Sequence, residues 1–253
     1  MKLHADALDD LSAGAVLLAT GGGGDPYDAY LCASATLAEY GGVELLEVDE
    51  LDDDARVVSI GSVGAPSVSL ELLPSIDDPG KALRAFEAQF DFRIDALVSF
   101  EVGGGNSMIP LMAGAQLGIP VVDGDGMGRA LPEAQMMTFP IAGVRPTPAL
   151  ALDYAGNIVT FDTANAATYE RHIRGVTQAM GGMVIAVEHP MRARDLKAAI
   201  IPGSISFCRR IGSVLRNHSV NVSRSFAPLA EAFADSLYGS LHHLYSGKVV
   251  DYR

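Results

Sequence analysis

Residues 95–122 read DALVSFEVGGGNSMIPLMAGAQLGIPVV. Asp95–Phe100 is a short apolar run, and Ile119–Val122 is another. Between them, Asn106 or Ser107 supplies a cap for a helix that runs to Leu117, and Gly118 stops it. Strand, helix and strand in about thirty residues make a βαβ unit. The two apolar runs are therefore expected in a parallel sheet, joined by a right-handed crossover.

Working outward, residues 3–19 read as a helix with Leu8, Leu11, Ala15 and Leu18 in one stripe and aspartates in its early turns. Gly21–Gly24 stop it. Asp25-Pro26 then reads as an N-cap with proline in the first turn, opening a helix to Tyr40 with Gly41 after its end. Val43–Val48 and Arg56–Val63 read as strands, and Asp78–Phe90 as a helix with Leu83, Phe86 and Phe90 on one face. Downstream, Pro132 starts a helical turn. Ala149–Leu152 and Asn157–Phe161 straddle Tyr154-Ala155-Gly156 as a hairpin. A helix over Ala166–Met180, a strand over Met183–Glu188, and helices over Ser204–Arg216 and Pro228–Tyr245 follow. Lys248–Tyr252 alternates like a strand just starting. Strands mixed with helices, without an internal repeat, predict a layered α/β domain.

The chain has 253 residues, 49% of them apolar, enough for a packed core without disulfide or metal staples. Its 18 basic and 31 acidic residues leave a net charge of −13. The scattered lysines and arginines form no patch for phosphates, so nucleic acid and anionic membranes are not expected partners. No apolar run reaches the length of a membrane span. Two cysteines, Cys32 and Cys208, make no disulfide framework, and Asp6, Asp9 and Asp10 sit where a leader would carry basic charge. These features predict a cytoplasmic protein with reduced thiols.

Three glycine-rich stretches carry the candidate chemistry. Thr20–Asp25 (TGGGGD) leaves backbone N–H groups free before a helix N-terminus. A helix precedes it, and no Lys-Ser/Thr pair follows, which argues against dinucleotide and P-loop readings. Glu101–Ser107 (EVGGGNS) and Asp123–Arg129 (DGDGMGR) both follow predicted parallel strands. They therefore fall at the carboxyl edge of the sheet, where open α/β folds bind ligands. Adjacent strands would bring Glu101, Asp123 and Asp125 to one small ligand. Such crowding raises at least one carboxyl pKa, as a general acid or base near neutral pH requires. Asp123 and Asp125 are expected on a sharply turning loop, with Arg129 as a nearby cation and Glu133 and Gln135 within two helical turns. Gly103, Gly104, Gly105, Asn106, Ser107, Gly126 and Met127 complete the expected binding surface, with Thr20, Gly21, Gly22, Gly23, Gly24 and Asp25. The carboxylates suit a divalent cation, but neither motif contains histidine, so the metal stays open. His189 follows a strand and precedes Pro190, so it could face the same edge, but a solvated or capping role is the favoured reading; His172 reads as solvated, and Cys208, in step with Ile205, Ile211 and Leu215, as core.

TGGGGDPY, EVGGGNS, PVVDGDGMGRALPEAQM, PTPAL and AIIPGSIS, in this order over nearly the whole chain, resemble the S-methyl thiohydantoin desulfurase family. Gly105 and Phe100 depart from its commonest spelling without removing a polar group. The resemblance implies a three-layer α/β/α domain with a mixed, largely parallel sheet, followed by a smaller β-rich C-terminal domain. On that reading residues 1–247 form the α/β domain, and residues 248–253 begin a second domain that is missing. It also implies hydrolysis of a thiohydantoin or hydantoin ring. Water would attack the ring carbon between two nitrogens, and sulfur would leave as thiol. Glu101, Asp123, Asp125, Arg129 and Glu133 are the catalytic candidates. A non-catalytic ligand-binding or accessory subunit of a hydantoinase-like complex is the alternative, motivated by the missing domain. Sugar-phosphate or nucleotide binding at Gly21–Gly24 is a third reading. A homo-oligomer or a hydantoinase-like partner fits these readings.

Overall fold

The structure is a computed structural model that describes residues 1–69, 71–72, 74–218, 222–234, 236–245 and 250–251. Nine strands among these residues share one sheet: β1 (Lys2–Leu3), β2 (Val43–Leu46), β3 (Arg56–Gly64), β4 (Ala96–Ser99), β5 (Val121–Asp125), β6 (Ala149–Asp153), β7 (Ile158–Phe161), β8 (Met183–Arg192) and β9 (Ile201–Pro202). The helices are α1 (Leu8–Ala19), α2 (Pro26–Tyr40), α3 (Pro66–Ser69), α4 (Asp78–Phe90), α5 (Ile109–Leu117), α6 (Thr138–Ile141), α7 (Ala166–Ala179), α8 (Ala193–Ala199), α9 (Ser204–His218) and α10 (Val222–Ala234).

The expected βαβ unit is β4–α5–β5, and its two strands pair directly and in parallel. Strand order is β1-β2-β5-β4-β3-β8-β6-β7, with β9 added to β5. The sheet is mixed, but the expectation of a largely parallel one needs correction. Parallel pairing is confined to β2, β5, β4 and β3. The β6–β7 hairpin closes through a tight turn and is antiparallel, and β8 runs antiparallel to both β6 and β3.

Alternate residues of the strands feed two cores, which makes the architecture three-layered. Val58, Ile60, Leu97 and Val121 face α1, α2, α4, α5 and α9. Val57, Ala96, Val98 and Val122 face Phe139 of α6, Tyr169 and Ile173 of α7, and Leu196 of α8.

Several boundaries move for identifiable reasons. β5 extends to Asp125 because β9 pairs with Gly124 and Asp125, so Asp123 and Asp125 are strand residues, not turn residues. The helix expected over Pro228–Tyr245 starts earlier and ends at Ala234. Beyond it, Tyr238 stacks on Phe207 and donates to the Gly128 carbonyl, and Gly239 turns the chain at φ 75°. The strand expected over Lys248–Tyr252 falls largely outside the described residues.

Helices α1 and α9 cross in backbone contact. A Cβ on Gly14 would lie 1.9 Å from the Cys208 carbonyl oxygen, and one on Gly212 would lie 1.8 Å from that of Asp10. Alanine's helix propensity gains about 1 kcal/mol over glycine, whereas forcing two packed helices apart costs about 1–3 kcal/mol or more. Gly14→Ala is therefore expected to lower the urea midpoint. Gly175→Ala, in the exposed middle of α7 with open space around it, is expected to raise it. Equal midpoints for the two variants would refute the tight crossing.

Candidate functional site

The carboxyl ends of β3, β4 and β5 open into a cleft of about 490 Å³. Its walls begin with two glycine loops whose backbones touch. Gly105 N donates to Gly23 O at 2.8 Å, and Ala130 N donates to Leu18 O at 3.1 Å. A Cβ on Gly23 would meet the Gly103 carbonyl oxygen at 2.4 Å, and one on Gly104 would meet the Gly23 oxygen at 2.3 Å. Both residues have φ near +70°, a conformation that glycine adopts without strain. The glycines thus let loops 20–24, 101–107 and 126–133 converge.

Glu101 follows β4 and lines this cleft while only 5% exposed. Asn106 Nδ2 donates to its Oε1 at 2.8 Å, and Leu131 N to its Oε2 at 3.1 Å. The Asn106 amide cannot turn round freely, because its Oδ1 accepts from Ser62 N at 2.6 Å and Ser62 Oγ at 2.9 Å. Burial raises the Glu101 carboxyl above the usual range, against the two hydrogen bonds that favour its ionised form. A carboxylate so held, facing a cavity, can take a proton from a bound water or ligand.

Asp123 and Asp125 do not reach the cleft wall. As strand residues two apart they share a face, and that face is covered by α9. Asp123 Oδ1 accepts from Ile205 N and Ser206 N at 3.0 Å each, and Ser206 Oγ donates to Oδ2, so Asp123 anchors the start of α9. Asp125 is fully buried. Its Oδ2 accepts from Val102 N and Gly128 N at 2.8 Å each, tying the Glu101 loop to the Arg129 loop, while Oδ1 has no partner. Burial pushes its carboxyl up to about 7, opposed by the Ser204 hydroxyl beside it and by these N–H groups.

Of the other expected residues, Thr20, Gly21–Gly24, Asn106, Met127, Arg129 and Glu133 line the cleft. Gln135 stands behind Glu133 and donates to its carboxylate. Asp25 instead caps α2 by accepting from Tyr27 N at 2.9 Å, and with Gly105 it borders a second, smaller cavity. That carboxylate sits where an anion would meet the first turn of α2. Ser107 is buried and donates to Gly104 O, and Gly126 N donates to Phe100 O. Gly103 packs against Leu18 and Ala130 backbone.

The structure adds cleft residues that the glycine motifs did not indicate. Glu170 accepts from Arg174 Nε at 2.6 Å and from Ala134 N at 2.9 Å, and Arg174 donates to Pro132 O. This i,i+4 pair fixes the 132–134 wall, and its spacing was visible in the sequence. Glu188 lines the cleft from β8, where its signal is a lone carboxylate in the apolar run MVIAVEHPM. His189, expected at a solvated or capping position, is fully buried within β8 at φ 51°. Its Nδ1 lies 3.3 Å from Ser59 Oγ and its ring packs edge-on to Phe139. His172 is exposed, and Cys208 is buried core whose thiol is pushed up by burial, as their spacing predicted.

Among the described residues no group of three or more His, Cys, Asp or Glu is placed to hold a metal ion, and no helix is long and apolar enough to cross a membrane.

No curated protein matches the sequence. A crystal structure of a protein from Chromobacterium violaceum, determined by a structural genomics consortium, superposes with a TM-score of 0.79 at 24% identity. The match covers 94% of this chain and 66% of that one, so this chain spans about two thirds of that protein's length, and the likeness shows the fold. A model of the S-Me-THD-like N-terminal domain matches residues 6–163, and a model of the S-Me-THD-like C-terminal domain matches residues 164–253. The expectation that the C-terminal domain is missing is thereby overturned, and with it the ground for an accessory subunit. Nor do the described residues from 164 onward form a separate β-rich unit. They supply α7 to α10, and their longest strand, β8, lies between β3 and β6 because its alternate faces feed both cores. Matched by its two domain models from residue 6 to residue 253, the chain belongs to the S-Me-THD-like family.

Proposed function

We propose that the cleft hydrolyses a small five-membered ring of the thiohydantoin or hydantoin type, with Glu101 as the base. The observation that carries this reading is a buried carboxylate, raised above its usual range, facing a cavity at the carboxyl edge of the sheet. The family's name supports the ring class. A cleft of about 490 Å³ falls within the size range of small-molecule sites.

In this mechanism water adds at the ring carbon between the two nitrogens and gives a proton to Glu101. Backbone N–H groups of the glycine loops stabilise the charge that develops on the ring. The tetrahedral species collapses with cleavage of the carbon–sulfur bond: its hydroxyl proton passes to the ring nitrogen, a ring carbonyl forms, and the thiolate leaves beside the Arg129 guanidinium. The proton held by Glu101 then passes to the thiolate, directly or relayed through Glu133, so that Glu101 is again ionised; Arg129 and Glu133 are both on the cleft wall.

The test is a sulfide- and thiol-release assay on 2-thiohydantoins and their S-methylated forms, with hydantoin followed for ring opening, with and without a divalent cation. Thiol release from an S-methylated ring, at a rate proportional to enzyme, is the expected result. Absence of sulfur release from the sulfur-bearing rings and of ring opening of hydantoin, in both conditions, would overturn the hydrolytic reading.

A further inference from the structure

Glu188 stands in the cleft wall at 1% exposure, and neither of its carboxylate oxygens has a hydrogen-bond partner. A buried ionisable group without donors is strongly unfavourable unless something arrives to satisfy it. Two neighbours approach the carboxylate without completing a well-formed hydrogen bond. His189 Nδ1 comes to 3.4 Å from Oε1 and also lies beside Ser59 Oγ, and the Tyr169 hydroxyl faces the same carboxylate. Between them these two groups leave acceptor capacity on the cleft side of Glu188 unused.

The backbone behind Glu188 is firmly held. Ser59 Oγ donates to the Glu188 carbonyl at 2.9 Å, and the β3–β8 register shifts at this point. His189 adopts φ 51°, a left-handed conformation that is strained in a non-glycine residue. Bulges of this kind re-aim a side chain. Here the strain sits immediately next to an unsatisfied carboxylate facing the cavity.

We infer that Glu188 is a specificity-determining residue that accepts a hydrogen bond from a ring N–H of the bound ligand. The inference rests on the proposed ring class, whose members carry N–H groups flanking the reacting carbon. A carboxylate acceptor forms a charge-assisted bond, stronger than a neutral one. A site built to pair with an N–H discriminates sharply against analogues that lack it, because its buried group is then left unpaired.

Calorimetric titration of the whole protein with hydantoin, 1-methylhydantoin and 3-methylhydantoin tests this. The protein is expected to bind hydantoin and to lose about a hundredfold in affinity for one of the two methylated isomers. Glu188→Gln is expected to bind hydantoin about tenfold or more weakly and to lose most of that discrimination. Its melting temperature should be equal to or above that of the parent, since glutamine buries no charge. Parent protein that binds all three rings equally overturns the inference, whether or not the variant folds. Unchanged hydantoin affinity in Glu188→Gln also overturns it, and a lowered melting temperature with that result assigns Glu188 to holding His189 and Tyr169. Failure of the parent to bind any of the rings overturns the ring class itself, and this inference falls with it.

Discussion

Glu101→Gln is expected to lower thiol-releasing turnover by about 10²–10⁴-fold, the range that a positioned general base supplies. The amide removes the base but keeps the volume. It also creates a local conflict. Asn106 Nδ2 and Leu131 N both point at this side chain as donors, and the Asn106 amide is pinned by Ser62. The glutamine NH₂ must therefore face one of them, which costs about 1–3 kcal/mol for an unmade bond. Loss of a buried charge offsets part of this cost, so a folded variant with lost kcat is the expected outcome. The pH profile separates catalysis from packing. Only the ionised carboxylate takes a proton, so kcat/KM should fall as pH drops through the raised pKa of Glu101. Asn106→Leu removes a donor that favours the ionised form, and this acid limb should move to higher pH. Glu101→Gln enzyme retaining near-parental kcat would show that Glu101 only shapes the loop.

Local patterns carried much of this architecture in the sequence. The helix ends at Gly41 and Gly118 and the cap at Asp25 are set by residues within one turn, so spacing alone located them. The β4–α5–β5 unit was legible for the same reason, and it placed Glu101 at the sheet's carboxyl edge. What the sequence left hidden depends on partners distant in the chain. The common face of Asp123 and Asp125 followed from their i,i+2 spacing, but α9, about eighty residues later, decides that this face is covered. Antiparallel addition of β8 to β3 joins residues more than a hundred apart, and no local pattern reports it. Glu188 belongs to that addition and so escaped a reading built on glycine motifs, and His189, read as solvated or capping, is buried by it.

Asp125→Asn is expected to remove a pH dependence of stability worth about 4 kcal/mol, taking about 1.36 kcal/mol per pK unit. The Asp125 carboxyl titrates near 3.8 when unfolded and is pushed up to about 7 by full burial in the native state. Below pH 3.8 it is protonated in both states and contributes nothing. Between the two values the native protein keeps a proton that the unfolded chain has released. Unfolding then releases a proton, and stability falls as pH rises, levelling off above about pH 7. Asparagine stays neutral throughout. Its carbonyl oxygen can accept from Val102 N and Gly128 N, as Oδ2 does, and its NH₂ takes the place of the unpartnered Oδ1 beside the Ser204 hydroxyl. Urea denaturation from pH 4 to pH 8 should therefore show the two proteins alike at the acid end and the variant increasingly more stable towards pH 8. Other titrating groups are common to both proteins and cancel in the difference. Because Asp125 lies beneath the loops and outside the cleft, turnover in the variant should stay within about tenfold of the parent, as for a residue that acts through loop position. Parallel stability curves across this range would mean that the native carboxyl is ionised throughout, and turnover lost with the fold intact would make it the proton carrier after all.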